Sequence, residues 1–214
     1  TGVVNVAVER IKRELLPEYP HVDGVVAINH AYGCGVAIDA RDAYIPKRIL
    51  RNIARHPNFG GELMVVSLGC EKFSPEMFLE DRPEDNNPDN VIVLQEEHGF
   101  DAMVEAIMAM ADKKLARLEQ RRRVTLPLSE LLVGMECGGS DAFSGVASNP
   151  SIGYCADLLV SGGATVMFSE VTEVRDAVYL LARRCVDEPT MRKLASEMRW
   201  YDKYLEDGGA DRSA

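Results

Sequence analysis

Five short apolar runs alternate with helical patterns along this chain, and that alternation limits its fold more than any single residue does. The runs cover residues 24–29, 62–67, 91–94, 131–135 and 164–168. Segments apolar on both faces suit strands buried from both sides. Between them, Val4, Ala7, Val8, Ile11 and Leu15 share one helical face. Met103, Val104, Ile107, Met108, Ala111, Leu115 and Leu118 share another, within a helix predicted over 100–122. Further helices are predicted over 45–55, 146–159, 174–184 and 190–205. Pro17 and Pro20 end the first helix, and Gly208-Gly209 stops the last. Strand and helix in alternation predict an α/β fold: an open, mostly parallel sheet of about five strands with helices on both faces, a Rossmann-like three-layer sandwich. No repeat or long linker interrupts the pattern, so residues 1–214 read as a single α/β domain.

Charge and cysteine usage exclude several classes of function. The formal net charge is -10, whereas nucleic-acid binding needs a basic footprint. The one basic run, Arg121-Arg122-Arg123, falls at a predicted helix C-terminus, where cations complement the helix dipole. No apolar run reaches the ~18 residues that span a bilayer, and no secretory segment is visible. The five cysteines are widely spaced and form no Cys-x-x-Cys, so the chain reads as cytoplasmic with reduced thiols. An anionic substrate would need a local cation, either a metal or an Arg/Lys pocket, against the global field.

In open α/β sheets ligands bind beyond the carboxyl ends of the strands, so the residues after each run are the candidates. They are Asn29-His30-Ala31-Tyr32-Gly33-Cys34-Gly35, Leu68-Gly69-Cys70-Glu71-Lys72, Gln95-Glu96-Glu97-His98, Glu136-Cys137-Gly138-Gly139-Ser140-Asp141 and Ser169-Glu170. Cys34, Cys70 and Cys137 occupy equivalent places just past a strand. With His30, Glu71 and Glu136 they could bind a soft or borderline metal such as Fe(II) or Zn(II); the alternative is that each is a small buried hydrophobe. Cys155 and Cys185 fall inside predicted helices, where packing explains them. His30 is equally a ligand or a base. Glu170 is either a desolvated carboxyl of raised pKa or a surface helix cap. Gly138-Gly139-Ser140-Asp141 runs into a helix, offering backbone N–H groups to a substrate carboxylate or simply a capped turn. Gly33-x-Gly35 is not a dinucleotide fingerprint, because Ile38 stands where the third glycine belongs.

Several of these segments carry a resemblance. His30-Ala-Tyr-Gly-Cys-Gly-Val-Ala-Ile-Asp39, His56-Pro-Asn-Phe-Gly-Gly61, Val65-Val-Ser-Leu-Gly-Cys-Glu-Lys72, Gly138-Gly-Ser-Asp-Ala-Phe-Ser-Gly145 and Ala164-Thr-Val-Met-Phe-Ser-Glu-Val-Thr-Glu-Val-Arg175 resemble the galactarate and altronate dehydratase family along nearly the whole chain. Tyr32 and Val36-Ala-Ile-Asp39 look more like its galactarate branch. The resemblance implies the central part of a longer multidomain enzyme, with further N- and C-terminal domains as partners. It also implies a strand and Cys-containing turn ahead of the segment matching Thr1. A homodimer through a sheet edge left open there is a candidate assembly.

The implied reaction is Fe(II)-dependent dehydration of galactarate to a keto-deoxy sugar acid. Such a hydro-lyase takes the proton alpha to a carboxylate and expels the beta hydroxyl. A metal stabilises the charge that develops, and an acid-base pair handles the protons. On that reading His30, Cys34, Cys70 and Cys137 are metal candidates. His30, Tyr32, Glu71 and Glu170 are catalytic candidates, with Tyr32 as acid. Lys72, Gly138, Gly139, Ser140, Asp141 and Arg175 would hold the substrate, Arg175 by a bidentate grip. The competing readings are a dehydratase acting on altronate or another sugar acid, and a non-catalytic metal-binding or assembly domain.

Overall fold

The computed structural model describes residues 2–30, 34–139, 141–170 and 174–210. The chain, read above as one domain, divides into two compact units, Thr1–Arg123 and Val124–Ala214.

The first unit is organised by two helices. Helix α1 (Gly2–Arg10) continues through a wider turn, Ile11–Leu15, and closes in a 3-10 turn at Leu16–Glu18, where Pro17 stops it. Helix α2 spans Tyr44–Ala54. Strand β1 (Val65–Ser67) and the short α3 (Pro75–Phe78), capped by the Ser74 hydroxyl on the Met77 N–H, follow. Strand β2 (Val91–Val93) precedes the long α4 (Phe100–Glu119). Val104, Ile107, Met108, Ala111 and Leu115 repeat every three or four residues along α4. All are buried, against Ala7 and Ile11 of α1 and Ile92 and Leu94 at the end of β2. The strands β1 and β2 pair in parallel, with Val65 opposite Val91 and Ser67 opposite Val93.

Burial on α4 includes one charge. Lys114 is 4% exposed and donates to Asn90 Oδ1 at 2.6 Å. Its ammonium also lies 3.6 Å from Glu62 Oε2. Glu62 accepts two hydrogen bonds from Arg117, at 2.8 and 3.1 Å, and lies 3.7 Å from Arg121. The Arg117 hydrogen bonds hold the Glu62 carboxyl below its ordinary pKa against the opposing effect of burial, and burial pushes the Lys114 ammonium down.

The second unit begins with a 3-10 turn, Leu128–Glu130, and strand β3, Leu132–Met135. Helix α5 (Asn149–Ser161) is entered through a wide turn at Ser144–Ser148, and Gly163, at φ 100°, lets the chain reverse into strand β4, Thr165–Phe168. The pair β3–β4 is parallel, Leu132 opposite Thr165 and Met135 opposite Phe168. Helices α6 (Val178–Ala182) and α7 (Glu188–Asp207) follow. Asp187 caps α7 by accepting the Thr190 N–H at 2.8 Å, which starts it two residues ahead of the sequence expectation. Among the described residues Ala164 is the one hydrophobic side chain of this unit that is fully buried, while Phe143, Val146, Tyr154, Leu158 and Trp200 are exposed.

The expected five-stranded, Rossmann-like three-layer sandwich is therefore corrected. Helix takes 56% of the structure, and among the described residues the strands form two separate two-stranded parallel sheets. Runs 62–67, 91–94, 131–135 and 164–168 became strands of three or four residues. Run 24–29 is extended without joining a ladder among the described residues. Val25 packs on the core there, but Val26 and Ile28 stand 62% and 49% exposed. One apolar face is used and the other is not, so this run lacks the two-sided burial that defines an inner strand of a covered parallel sheet.

Two outcomes follow for stability. Ile107→Ala, at a site 2% exposed, should cost about 2–5 kcal/mol by urea unfolding, whereas Leu158→Ala on exposed α5 should stay within about 0.5 kcal/mol. The lowered pKa of Glu62 means its contribution is complete above the unfolded carboxyl value, about 4.3, and is lost as pH falls through the lower folded value. Glu62→Gln should therefore flatten the acid limb of the urea midpoint measured against pH.

Candidate functional site

The carboxyl end of β1 builds a tight turn around one carboxylate. Glu71 Oε1 accepts the Leu68 N–H at 3.1 Å and Oε2 the Gly69 N–H at 2.7 Å. The buried Ser67 hydroxyl accepts the Gly69 N–H at 3.1 Å. Burial alone would raise the Glu71 pKa, but the Ser67 hydroxyl and these backbone N–H groups outweigh it and hold the carboxyl below its ordinary value. Gly69 makes the turn possible. Its φ is 106°, and a Cβ there would lie 3.0 Å from both Gln95 Oε1 and Val93 Cγ1. The close approach sets Cys70 beside Gln95, the second residue past β2, whose Nε2 donates to Cys70 Sγ at 3.4 Å.

Cys34 meets this turn from the other side. Its sulfur lies 3.2 Å from Cys70 Sγ, and both residues are exposed. The Cys70 sulfur, with a contribution from burial, pushes the Cys34 thiol above the ordinary value. The structure brings Cys34 and Cys70 together, whereas sequence reasoning placed Gln95 only among the residues after the third apolar run, without a role, and did not single out Ser67.

The remaining candidates fall as follows. His30 is exposed at the end of the extended segment, and Lys72 is exposed beyond Glu71. Tyr32 and Ser140 lie outside the described residues. Cys137 belongs to the second unit, half-buried past β3, where its N–H donates to Glu170 Oε2 in a very short hydrogen bond. That bond ties the end of β4 to the turn after β3. Gly138 and Gly139 are exposed. Asp141 accepts the Ser144 N–H at 2.9 Å, a helix-capping role. Arg175 is largely buried, its Nε 3.7 Å from Asp176 and 3.9 Å from Asp202, and Nε makes no hydrogen bond among the described residues.

The thiol pair fits a soft or borderline metal in kind. Two thiolates on a tetrahedral ion with metal–sulfur bonds of about 2.3 Å stand roughly 3.8 Å apart, so a small side-chain rotation would open the pair enough. It supplies two ligands. Among the described residues no group of three or more His, Cys, Asp or Glu side chains converges. No helix among them is long and apolar enough to cross a membrane.

Comparison with known proteins divides the chain where the fold does. Residues 1–119 match the model of the D-galactarate dehydratase/altronate hydrolase second domain, and residues 128–214 match that of the D-galactarate/altronate dehydratase C-terminal domain. The chain is 55% identical over its whole length to a galactarate dehydratase (L-threo-forming) of Escherichia coli, of which it covers 42%. Over 95% of its length it is 33% identical to an altronate dehydratase of Escherichia coli and 32% identical to one of Bacillus subtilis, covering 41% of each. It thus spans less than half the length of these relatives. Two family models that together run along nearly the whole chain, meeting at the boundary between its two units, place it in the D-galactarate/altronate dehydratase family.

Proposed function

We propose that this chain is part of a hydro-lyase that dehydrates galactarate to a keto-deoxy sugar acid, and that its first unit supplies soft metal donors. The observation that carries the reading is the pairing of Cys34 and Cys70 beside the end of β1, in a chain 55% identical over its whole length to a galactarate dehydratase. The higher identity to that relative than to the altronate dehydratases, at 33% and 32%, favours galactarate over altronate as substrate.

Cys34 and Cys70 of the first unit would hold Fe(II). Bound iron would act as a Lewis acid on the carboxylate beside the carbon that loses its proton. Glu71 then serves the site by fixing the turn that presents Cys70, since both of its oxygens are engaged by backbone N–H groups. A carboxylate held so low is a weak base. Proton abstraction therefore falls to His30, and protonation of the departing hydroxyl to Tyr32. In the second unit Glu170 fixes the Cys137 turn, whose Gly138 and Gly139 offer backbone N–H groups to a carboxylate, with Ser140 and Asp141 following. Arg175, whose Nε makes no hydrogen bond among the described residues, is the cation the second unit would offer to the distal carboxylate of a diacid, and Lys72 is the corresponding cation of the first unit.

The test is an anaerobic assay of the full-length protein with Fe(II), following keto-acid release from galactarate and from altronate. Turnover that favours galactarate is expected; an iron-loaded, folded enzyme that turns over neither acid overturns the reading. Within that enzyme His30→Asn should lower kcat by about 10²–10⁴-fold. Glu71→Gln should instead weaken iron binding by about 10–100-fold, because it loosens the turn under a ligand.

A further inference from the structure

Cys34 and Cys70 come from segments 36 residues apart, yet their sulfur atoms stand 3.2 Å apart on an exposed edge of the first unit. Neither thiol is shielded from a small reagent. Gln95 Nε2–H points at Cys70 Sγ, a donor that stabilises negative charge on that sulfur. Cys34 Sγ stands within contact distance of that same sulfur. One sulfur is thus prepared to attack, and a second is within reach to resolve the product. The remaining cysteines lie in the second unit, where Cys185 Sγ donates to the Leu181 carbonyl at 3.5 Å inside its own helical turn.

We propose that Cys34 and Cys70 are a redox modification site, closing to a reversible intramolecular disulfide by exchange with a low-molecular-weight disulfide. In the first step the Cys70 thiolate attacks one sulfur of a reagent such as glutathione disulfide. The S–S bond of the reagent breaks, one glutathione thiolate leaves, and a mixed disulfide remains on Cys70. In the second step Cys34 gives up its proton, and its sulfur attacks Cys70 Sγ. The Cys34–Cys70 bond forms and the second glutathione thiolate departs. The protein has lost two electrons and two protons, and the reagent has become two thiols. A dithiol reductant reverses both steps. This chemistry does not depend on the dehydratase reading. Where the pair holds a metal, closure removes both donors at once.

The experiment uses the full chain, reduced and stripped of metal with a chelator, then exposed to excess glutathione disulfide and quenched with an alkylating agent. Titratable thiols should fall by two from the five present, and the quenched chain should carry three alkyl groups where the reduced control carries five. Trypsin cuts between the two cysteines, at Arg41 among other sites, so a linked peptide pair containing Cys34 and Cys70 is expected. Dithiothreitol should restore all five thiols. Cys155→Ser should leave the loss of two unchanged. Cys34→Ser should trap one stable glutathione on Cys70. Full retention of the five thiols, a persistent glutathione adduct on the unsubstituted protein, or a bond involving any other cysteine or a second chain would each overturn the proposal. The readout is thiol count and mass, so failure of the dehydratase assay leaves it untouched.

Discussion

The apolar stripe of α4 carries the first unit. Val104, Ile107, Met108, Ala111 and Leu115 meet α1 on one side and the end of β2 on the other, and the best-buried side chains of the molecule lie along this seam. Everything at the β1–β2 edge depends on it. Ile92 and Leu94 are anchored to the seam, so β2 is fixed; β1 is paired to β2 residue by residue; and the ends of these strands carry Gln95 and Cys70. A loss of burial on α4 would reach the thiol pair through the packing of β2, its ladder to β1 and the short strand ends. The Lys114, Glu62, Arg117 and Arg121 cluster extends the same helix as a polar brace. Desolvation of the buried Lys114 and the partly buried Glu62 offsets part of the attraction within it.

The two units solve one local problem in the same way. In each, a parallel strand pair ends in a turn bearing a cysteine, and a glutamate carboxylate accepts backbone N–H groups of that turn. Glu71 does so for Leu68 and Gly69, and Glu170 does so for Cys137 itself. A strand end leaves N–H groups without ladder partners, and a carboxylate is a strong acceptor for them. Residue types that read as general acids or bases from sequence are thereby also the braces that hold the turns.

How much of this was legible follows from which signals are local. The α4 stripe, the Pro17 stop and four of the five strand positions follow from periodicity, which depends on near neighbours. The sheet was over-read, because an apolar run reports that a segment is extended and partly buried, and Val25 with Val26 shows that burial can stop at one face. The division at Arg123 was missed because residues 124–127 carry no Gly or Ser signal and the helical pattern simply ends. Glu71 read as chemistry because a sequence shows a carboxylate and does not show the two N–H groups facing it. Gln95 stood among the residues after the third run without a role for the converse reason: a neutral amide announces no chemistry until its sulfur partner is placed.

The sparse burial of the second unit has a thermal consequence. Phe143, Val146, Tyr154, Leu158 and Trp200 face outward, and Ala164 alone among the described hydrophobic residues there is fully enclosed. Attraction between such surfaces is entropic near room temperature and weakens on cooling. Any association through these side chains should therefore strengthen as a sample warms and weaken in the cold.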